Sequence, residues 1–411
     1  MITTSELSAL NIVELLAKRF PQVDFSGEFL AFLHAQEAND HQLCRIASGE
    51  TLIEFFDAQQ VPAFQSRAFL SPDSRLNLNL DYHALIRLAP EEAFAFLLDR
   101  LSTLFDLQQV ALDSENHTGF NRHGREHVAT VARKALVLMN DLQPSSSQVS
   151  RDQIETLLGG LLHDIGNLLS RKYHGLYGIY LFTQMFKNFA IDEATLESFL
   201  NVLEITLFHE VEFGSRLPTL AQLRPSALSV IVGDKTDVSF RRVSSKSNVP
   251  EAVEDIHVLV NLLVANSTIE RTKDPCCRFR WTVNYKAKYD ATQSSVFSSL
   301  LKATGRVKYP KEWETLYGEA NIEYLFVFSS TFLNVYLSRL YFAMRAAFAL
   351  YPSVEQFELI IDDQERGVSL IRTFARHDYV DKVFTLGKLF YKQAWQDTYL
   401  YTALKQQSQE V

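Results

Sequence analysis

The 411-residue chain has few cysteines, no excess of positive charge and no long uninterrupted apolar run, and each shortage closes a class of function. Its three cysteines cannot all pair within one chain, and the adjacent Cys276 and Cys277 lack the spacing of a zinc knuckle. Reduced thiols in a cytoplasmic protein are the expectation. The formal charge is −9 and the pI is near 5.7, so no extended nucleic acid is expected as a partner. The basic string SFRRVSSKS remains a local place where a phosphate can be met. The charge-free stretch YLFVFSSTFLNVYLS, between Glu323 and Arg339, has 15 residues. About 20 are needed to cross a bilayer, so it reads as a buried or interface helix and no membrane span is expected. A charged leader with an apolar core and a small-residue cleavage site is missing from the N-terminus, which again points to the cytoplasm. There is no nucleotide-binding glycine loop, no internal repeat and no low-complexity array.

Residues 1–110 read as a helical N-terminal module with no visible chemistry. ELSALNIVELLAKRF and GEFLAFLHAQEAND carry periodic apolar faces, and ALIRLAPEEAFAFLLDRLSTLF reads as a helical pair or as one helix started near Pro90. Between them Leu76, Leu78 and Leu80 alternate, which suits an extended connector or a short strand. Residues 272–411 read as a small α+β appendage. CRFRWTVNYKAKYD alternates as a strand, with Phe279, Trp281, Val283 and Tyr285 on one side. A short helix and turn are expected over 295–313, then a long aromatic helix over 321–350 that covers one sheet face. FELIIDDQERGVSLIRTF suits a hairpin interrupted at Arg366-Gly367. The aromatic helix leaves homo-oligomer formation open.

Chemistry concentrates in the middle segment, 111–271. LLGGLLHDIGN ends an apolar run in His163-Asp164, which joins a neutral nitrogen donor to an anionic oxygen donor, a mixture suited to Zn, Mn or Fe. By itself the doublet reads first as a helix end with His163 packed against a core. Its surroundings shift the balance. FNRHGREHVATVARKALVLM has Val128, Val131, Ala132, Ala135, Val137 and Leu138 at helical spacing beside His127, with His123 one turn earlier. RKYHGLYGIYLF supplies His174, LESFLNVLEITLFHE supplies His209, and LSVIVGDKTDVS ends in Asp234 and Asp237. Helix ends meeting at the centre of a bundle bring such distant residues together.

This series resembles the HD phosphohydrolase superfamily, whose helical core binds one or two divalent metals around a His-Asp pair. In that family the first ligand is a histidine followed four and five residues later by Val-Ala; His127 with Val131 and Ala132 matches, and His163-Asp164 matches the doublet. His174 and His209 resemble the two further histidines of the binuclear members, and Asp234 in GDKTDV fits the terminal ligand better than Asp237. The resemblance covers roughly residues 115–270. The HD-GYP branch, which hydrolyses cyclic dinucleotides, is matched less completely: Asn167 stands where it has lysine, Phe208-His209 where it has two histidines, and Arg216-Leu217 interrupts the Gly-Tyr-Pro signature.

The resemblance implies a mainly α fold with a central HD-like helical bundle. It also implies two divalent ions, Fe or Mn before Zn, held by His127, His163, Asp164, His174, His209 and Asp234. Asp164 is the natural bridge, since a carboxylate can bind two ions and an imidazole nitrogen only one. Without the family lysine, positive charge for a substrate phosphate falls to Lys235 and Arg241, with Arg171 and Lys172 as further candidates. Each of these also reads as an ordinary surface cation. His123 is either an extra ligand or a neighbour of the ligands, and Glu204, Glu210 and Glu212 are unranked candidates for proton relay. EAVEDIHVLVNLLVANSTIE reads as one helix closing the domain; its Asp255, Ile256, His257, Val260 and Asn261 echo a string found in some members of the superfamily. The expected activity is metal-dependent hydrolysis of a phosphomonoester or phosphodiester in a small nucleotide-like substrate. The alternative is a regulatory or scaffold protein that keeps the metal-binding core without hydrolysis.

Overall fold

Most of the helical periodicity in the sequence resolves into helix, and the chain is mainly α with a small α+β part. The computed structural model describes residues 9–21, parts of 23–33, 82–109 except 103 and 107, 123–142, 149–168, 174–185, 192–209, 222–243, 256–273, 277–285, 319–364 and 367–407. Two compact units are present, residues 1–117 with 123–230 and residues 118–122 with 231–411. The short helix and turn expected over 295–313, and the alternating Leu76, Leu78 and Leu80, lie outside the described residues.

The first unit contains α1 (Ala9–Arg19), α2 (Pro90–Arg100), α3 (Arg125–Leu142), α4 (Arg151–Leu162), α5 (His174–Met185) and α6 (Glu193–Phe208). It also contains the start of α7 (Pro225–Lys235). Pro90 opens α2, where its fixed φ suits the first helical position and its missing N–H costs nothing. Ser150 and Gln153 close a reciprocal capping box at the start of α4: the Ser150 hydroxyl accepts from Gln153 N, and Gln153 Oε1 accepts from Ser150 N. Every residue of α4 from Gln153 to Leu162 is buried, so this helix is the axis of the unit.

Packing around α4 needs close backbones. A Cβ at Gly160 would lie 2.8 Å from Ala132 Cα, so α3 can sit against α4 only because this position is glycine. The α3 stripe Val128, Val131, Ala132, Ala135 and Leu138 is buried as its spacing predicts, whereas Val137 is 55% exposed. That residue falls on the outward face, between the two buried ones that flank it. Each buried Leu or Val contributes about 1.5–3 kcal/mol relative to exposure.

The N-terminal helices are part of this unit. Phe20 meets Phe208 edge to face at 4.8 Å, and Arg19 donates to Asn201 Oδ1 at 2.9 Å. The expected division after residue 110 therefore falls inside one body.

The second unit contains the end of α7, α8 (Ile256–Leu262), β1 (Val264–Arg271), β2 (Arg278–Tyr285), α9 (Glu319–Leu350), β3 (Gln356–Asp363), β4 (Val368–Ala375), α10 (Tyr379–Tyr391) and α11 (Tyr399–Gln407). The sheet order is β1-β2-β3-β4, with β2 and β3 parallel and the outer pairs antiparallel. The single helix expected over 251–270 is corrected: it stops at Leu262, and VANSTIER becomes a strand whose Ile269 pairs with Trp281. Leu263 and Val264 continue the helical stripe by chance, while the alternation of buried Ser267 and Ile269 with exposed Asn266, Thr268 and Glu270 decides for strand. The expected boundary at 271 thus cuts a hairpin.

Phe279, Trp281, Val283 and Tyr285 are buried as the alternation predicts, and α9 covers that face with Phe332 on Trp281 and Phe328 on Tyr285. Gly367 turns the β3–β4 hairpin at φ +65°, a conformation that favours glycine. Among the described residues no helix is long and apolar enough to cross a membrane.

Candidate metal centre

Two histidines are prepared by the same local device. Helix α4 ends at His163, whose Nδ1 lies 2.8 Å from Gly160 O, and α6 ends at His209, whose Nδ1 lies 2.7 Å from Thr206 O. A carbonyl can only accept, so each Nδ1 carries a proton, and in the neutral form of each ring Nε2 is the nitrogen left for a ligand bond. His127 comes from the first turn of α3, and His174 is the first residue of α5. Asp164 begins the turn that leads into a short 3₁₀ segment, Ile165–Leu168, where its carbonyl accepts from Asn167 N. Gly166 lies so close to α5 that an added Cβ would be 1.8 Å from His174 O, so this glycine lets the loop seat His174.

These four imidazoles converge on the Asp164 carboxylate, and its two oxygens have different neighbours. Oδ2 lies 3.3 Å from His127 Nε2 and 3.3 Å from His163 Nε2, and those two nitrogens are 3.3 Å apart. Oδ1 lies 3.1 Å from His174 Nε2 and 3.5 Å from His209 Nε2, which are 2.9 Å apart. Donors bonded at about 2.1 Å to one ion sit about 3.0 Å apart at adjacent octahedral positions and about 3.4 Å apart in a tetrahedron. Both triangles fall close to that range. With a proton on Nδ1 of His163 and His209, Nε2 is the nitrogen that each ring, when neutral, offers to a cation. The histidine and aspartate donors therefore fit a divalent metal ion.

Burial alone would raise the Asp164 pKa, but charge on His163 and His123, with hydrogen bonds from His123 and His127, holds it well below the usual carboxylate range. His209 is pushed down to about 4, chiefly by burial and partly countered by its hydrogen bond to Asp164. It stays neutral and able to ligate through mildly acidic pH. The unfolded chain takes up this proton near the ordinary value of 6.5, so between that pH and about 4 the unfolded state binds more protons than the folded one. The metal-free protein is expected to be most stable above this window and to lose melting temperature as pH falls through it. His209→Gln should flatten that decline in a calorimetric pH series; an unchanged slope would show that His209 does not carry it.

The remaining residues singled out in the sequence have varied surroundings. Asp234 belongs to the second unit, in the last turn of α7, where its Oδ2 accepts from Lys235 Nζ at 2.7 Å and its Oδ1 from Arg339 Nη2 at 3.2 Å. Arg339 also donates to the Asp234 and Lys235 carbonyls, which closes the end of the helix. Asp237 pairs with Arg242, while Arg241 is exposed with its guanidinium over the Phe240 ring. His257 is exposed, whereas Asn261 is fully buried, donating to Tyr336 Oη and accepting from Ser239 N. Asn261 therefore joins elements within its unit. Glu204 is raised in pKa by burial, against the hydrogen bond from Arg224 N and the charges of Arg19 and Arg224. Its salt bridge to Arg19 ties α6 to α1. Arg171, Lys172, Glu210 and Glu212 lie outside the described residues.

Sequence reasoning left His123 open and passed over Gln108 and Gln109. His123 Nδ1 is 2.6 Å from Asp164 Oδ2, and both glutamines hydrogen-bond to the His123 main chain. The one available signal was the spacing of His123 from His127; glutamines in a helical segment carry none.

No protein-family model matches the chain, and no solved structure matches it. Among curated proteins it is similar to uncharacterized protein MJ1020 of Methanocaldococcus jannaschii, with 35% identity over 80 residues, 17% of this chain and 31% of that protein. The chain thus spans about a third of that relative's length.

Proposed function

We propose that the protein is a binuclear metal-dependent phosphohydrolase acting on a phosphomonoester or phosphodiester of a small nucleotide-like molecule. The observation that carries this reading is the Asp164 carboxylate, which offers Oδ2 to the His127–His163 pair and Oδ1 to the His174–His209 pair. The resemblance to HD phosphohydrolases, drawn from the order of the same residues, supports it. Fe or Mn is favoured, and Zn also suits the nitrogen and oxygen donors.

In this reading His127, His163 and Asp164 hold one ion, His174, His209 and Asp164 hold the other, and Asp234 remains the sequence-derived terminal ligand. Bound there, two ions supply Lewis acidity toward a phosphoryl oxygen and lower the pKa of water. The chain's part is to keep the donors ready. Hydrogen bonds to Gly160 O and Thr206 O fix the tautomers of His163 and His209, and burial keeps bulk water from the imidazoles. Lys235 and Arg241 remain the sequence-derived candidates for the phosphate's charge.

The test is turnover of a panel of nucleoside monophosphates, oligonucleotides and cyclic dinucleotides by protein loaded with Mn²⁺ or Fe²⁺. Hydrolysis that disappears on chelation and returns with metal is expected. Turnover indifferent to chelation would count against the reading. Asn167, standing where the HD-GYP branch has lysine, favours a second one, a regulatory protein that retains the centre. Stable capture of a partner by metal-loaded protein that hydrolyses nothing in the panel would select it.

A further inference from the structure

His123 stands apart from the other four histidines around Asp164. It approaches through Nδ1 rather than Nε2, and its 2.6 Å contact with Oδ2 is far shorter than the 3.3 Å separations of His127 and His163 from the same oxygen. Two donors 2.6 Å apart and each about 2.1 Å from one ion would subtend only about 76° there, tighter than octahedral or tetrahedral neighbours. The same distance suits a charge-assisted hydrogen bond. His123 is therefore a donor to the carboxylate.

The nitrogen it uses is the one nearest its own backbone, so the position of Nδ1 depends closely on the main chain at residue 123. That main chain is held on both sides. Gln108, fully buried, donates from Nε2 to His123 O at 2.8 Å, and Gln109 Oε1 accepts from His123 N at 3.1 Å and from Gly124 N at 3.0 Å. Gly124 O in turn accepts from His127 N and Val128 N in the first turn of α3. A Cβ at Gly124 would come within 3.2 Å of the Gln109 side chain, so a larger residue beside His123 would press on the clamp.

We propose that Gln108 and Gln109 are positioning residues of the metal centre: they fix the His123 backbone so that its imidazole donates to Asp164 Oδ2 and sets the plane of the shared carboxylate. This rests on the metal-binding reading above. It also gives the N-terminal segment a task, that of backing the centre. Hydrogen-bonded neighbours of metal ligands commonly change metal affinity by roughly 10–100-fold.

The test is Co²⁺ titration of the full chain, read as bound equivalents by elemental analysis and as visible d–d absorption. His123→Ala is expected to keep two equivalents, to bind them roughly 10–100-fold more weakly and to shift the bands. Gln109→Met, which removes the accepting oxygen at similar volume, should shift the bands in the same direction. Gln109→Glu, which keeps such an oxygen, should return them toward wild type. The Gln109→Met/His123→Ala double variant should bind no more weakly than His123→Ala alone, because the two act through one contact. If circular dichroism shows Gln109→Met unfolded, Gln108→Leu takes its place with the same expectations. Loss of a whole equivalent in His123→Ala, wild-type bands and affinity in a folded glutamine variant, or additive losses in the double variant would each overturn the proposal. Wild-type protein that takes up no Co²⁺ would instead overturn the metal reading on which it stands.

Discussion

Asp164→Ala is expected to empty both metal positions at once. Each of its oxygens faces a different imidazole pair, so deleting one carboxylate removes a donor from both triangles and the bridge between them. Each triangle then keeps two imidazole nitrogens and loses the carboxylate that the two share, a poorer match for divalent charge. Turnover should fall by at least the roughly 10²–10³-fold that a single lost electrostatic contact costs in an active site. By contrast, His209→Gln should affect chiefly the Oδ1 position. Elemental analysis of both purified variants decides the matter, with circular dichroism to establish that they are folded. Two bound equivalents in folded Asp164→Ala would sink the shared-carboxylate reading.

Gly166→Ala should be the most damaging single methyl group in the first unit. The added carbon would sit 1.8 Å from His174 O and 2.6 Å from Gly178 N. Both are backbone atoms, so no side-chain rotation relieves the overlap, and either the 3₁₀ turn or α5 must move. Overpacking of this kind costs about 1–3 kcal/mol and sometimes more. For a unit of this size that lowers the melting temperature by on the order of 10 °C at the upper end. Since α5 begins at His174, its displacement also opens the His174–His209 pair. If the proposed binuclear centre forms, the variant should hold one equivalent of metal against two in wild type. A melting temperature and metal content equal to wild type would show that the contact yields more easily than its geometry allows.

Much of this was legible in the chain. Capping at Ser150, the apolar stripe of α3 and the alternation through Phe279 and Trp281 are local signals, and local signals survive into the fold. The histidines and Asp164 were visible because metal-donor residue types recur at helix ends. What stayed hidden depends on tertiary contact. Nothing local marks Phe20 as a partner for Phe208, so the first helices read as a separate module. Leu263 and Val264 extend a helical stripe, and only the partner strand turns them toward a sheet. Gln108 and Gln109 reach His123 across 14 to 15 residues, and a glutamine's value there lies in geometry that composition does not encode.

The parallel pairing of β2 with β3 bears on how the second unit comes into being. Phe279 pairs with Phe357 across a connection that includes the whole of α9, so the central seam of the sheet cannot close until β3 has been made. Until then β1 and β2 form a lone two-stranded ribbon, which has marginal stability in water. Contacts of such large sequence separation form slowly. A nascent chain ending within α9 would expose Trp281 and its neighbours along an unpaired edge, the condition in which strands associate wrongly. For this half of the protein, folding is a question of timing, and the residues after 355 decide when it ends.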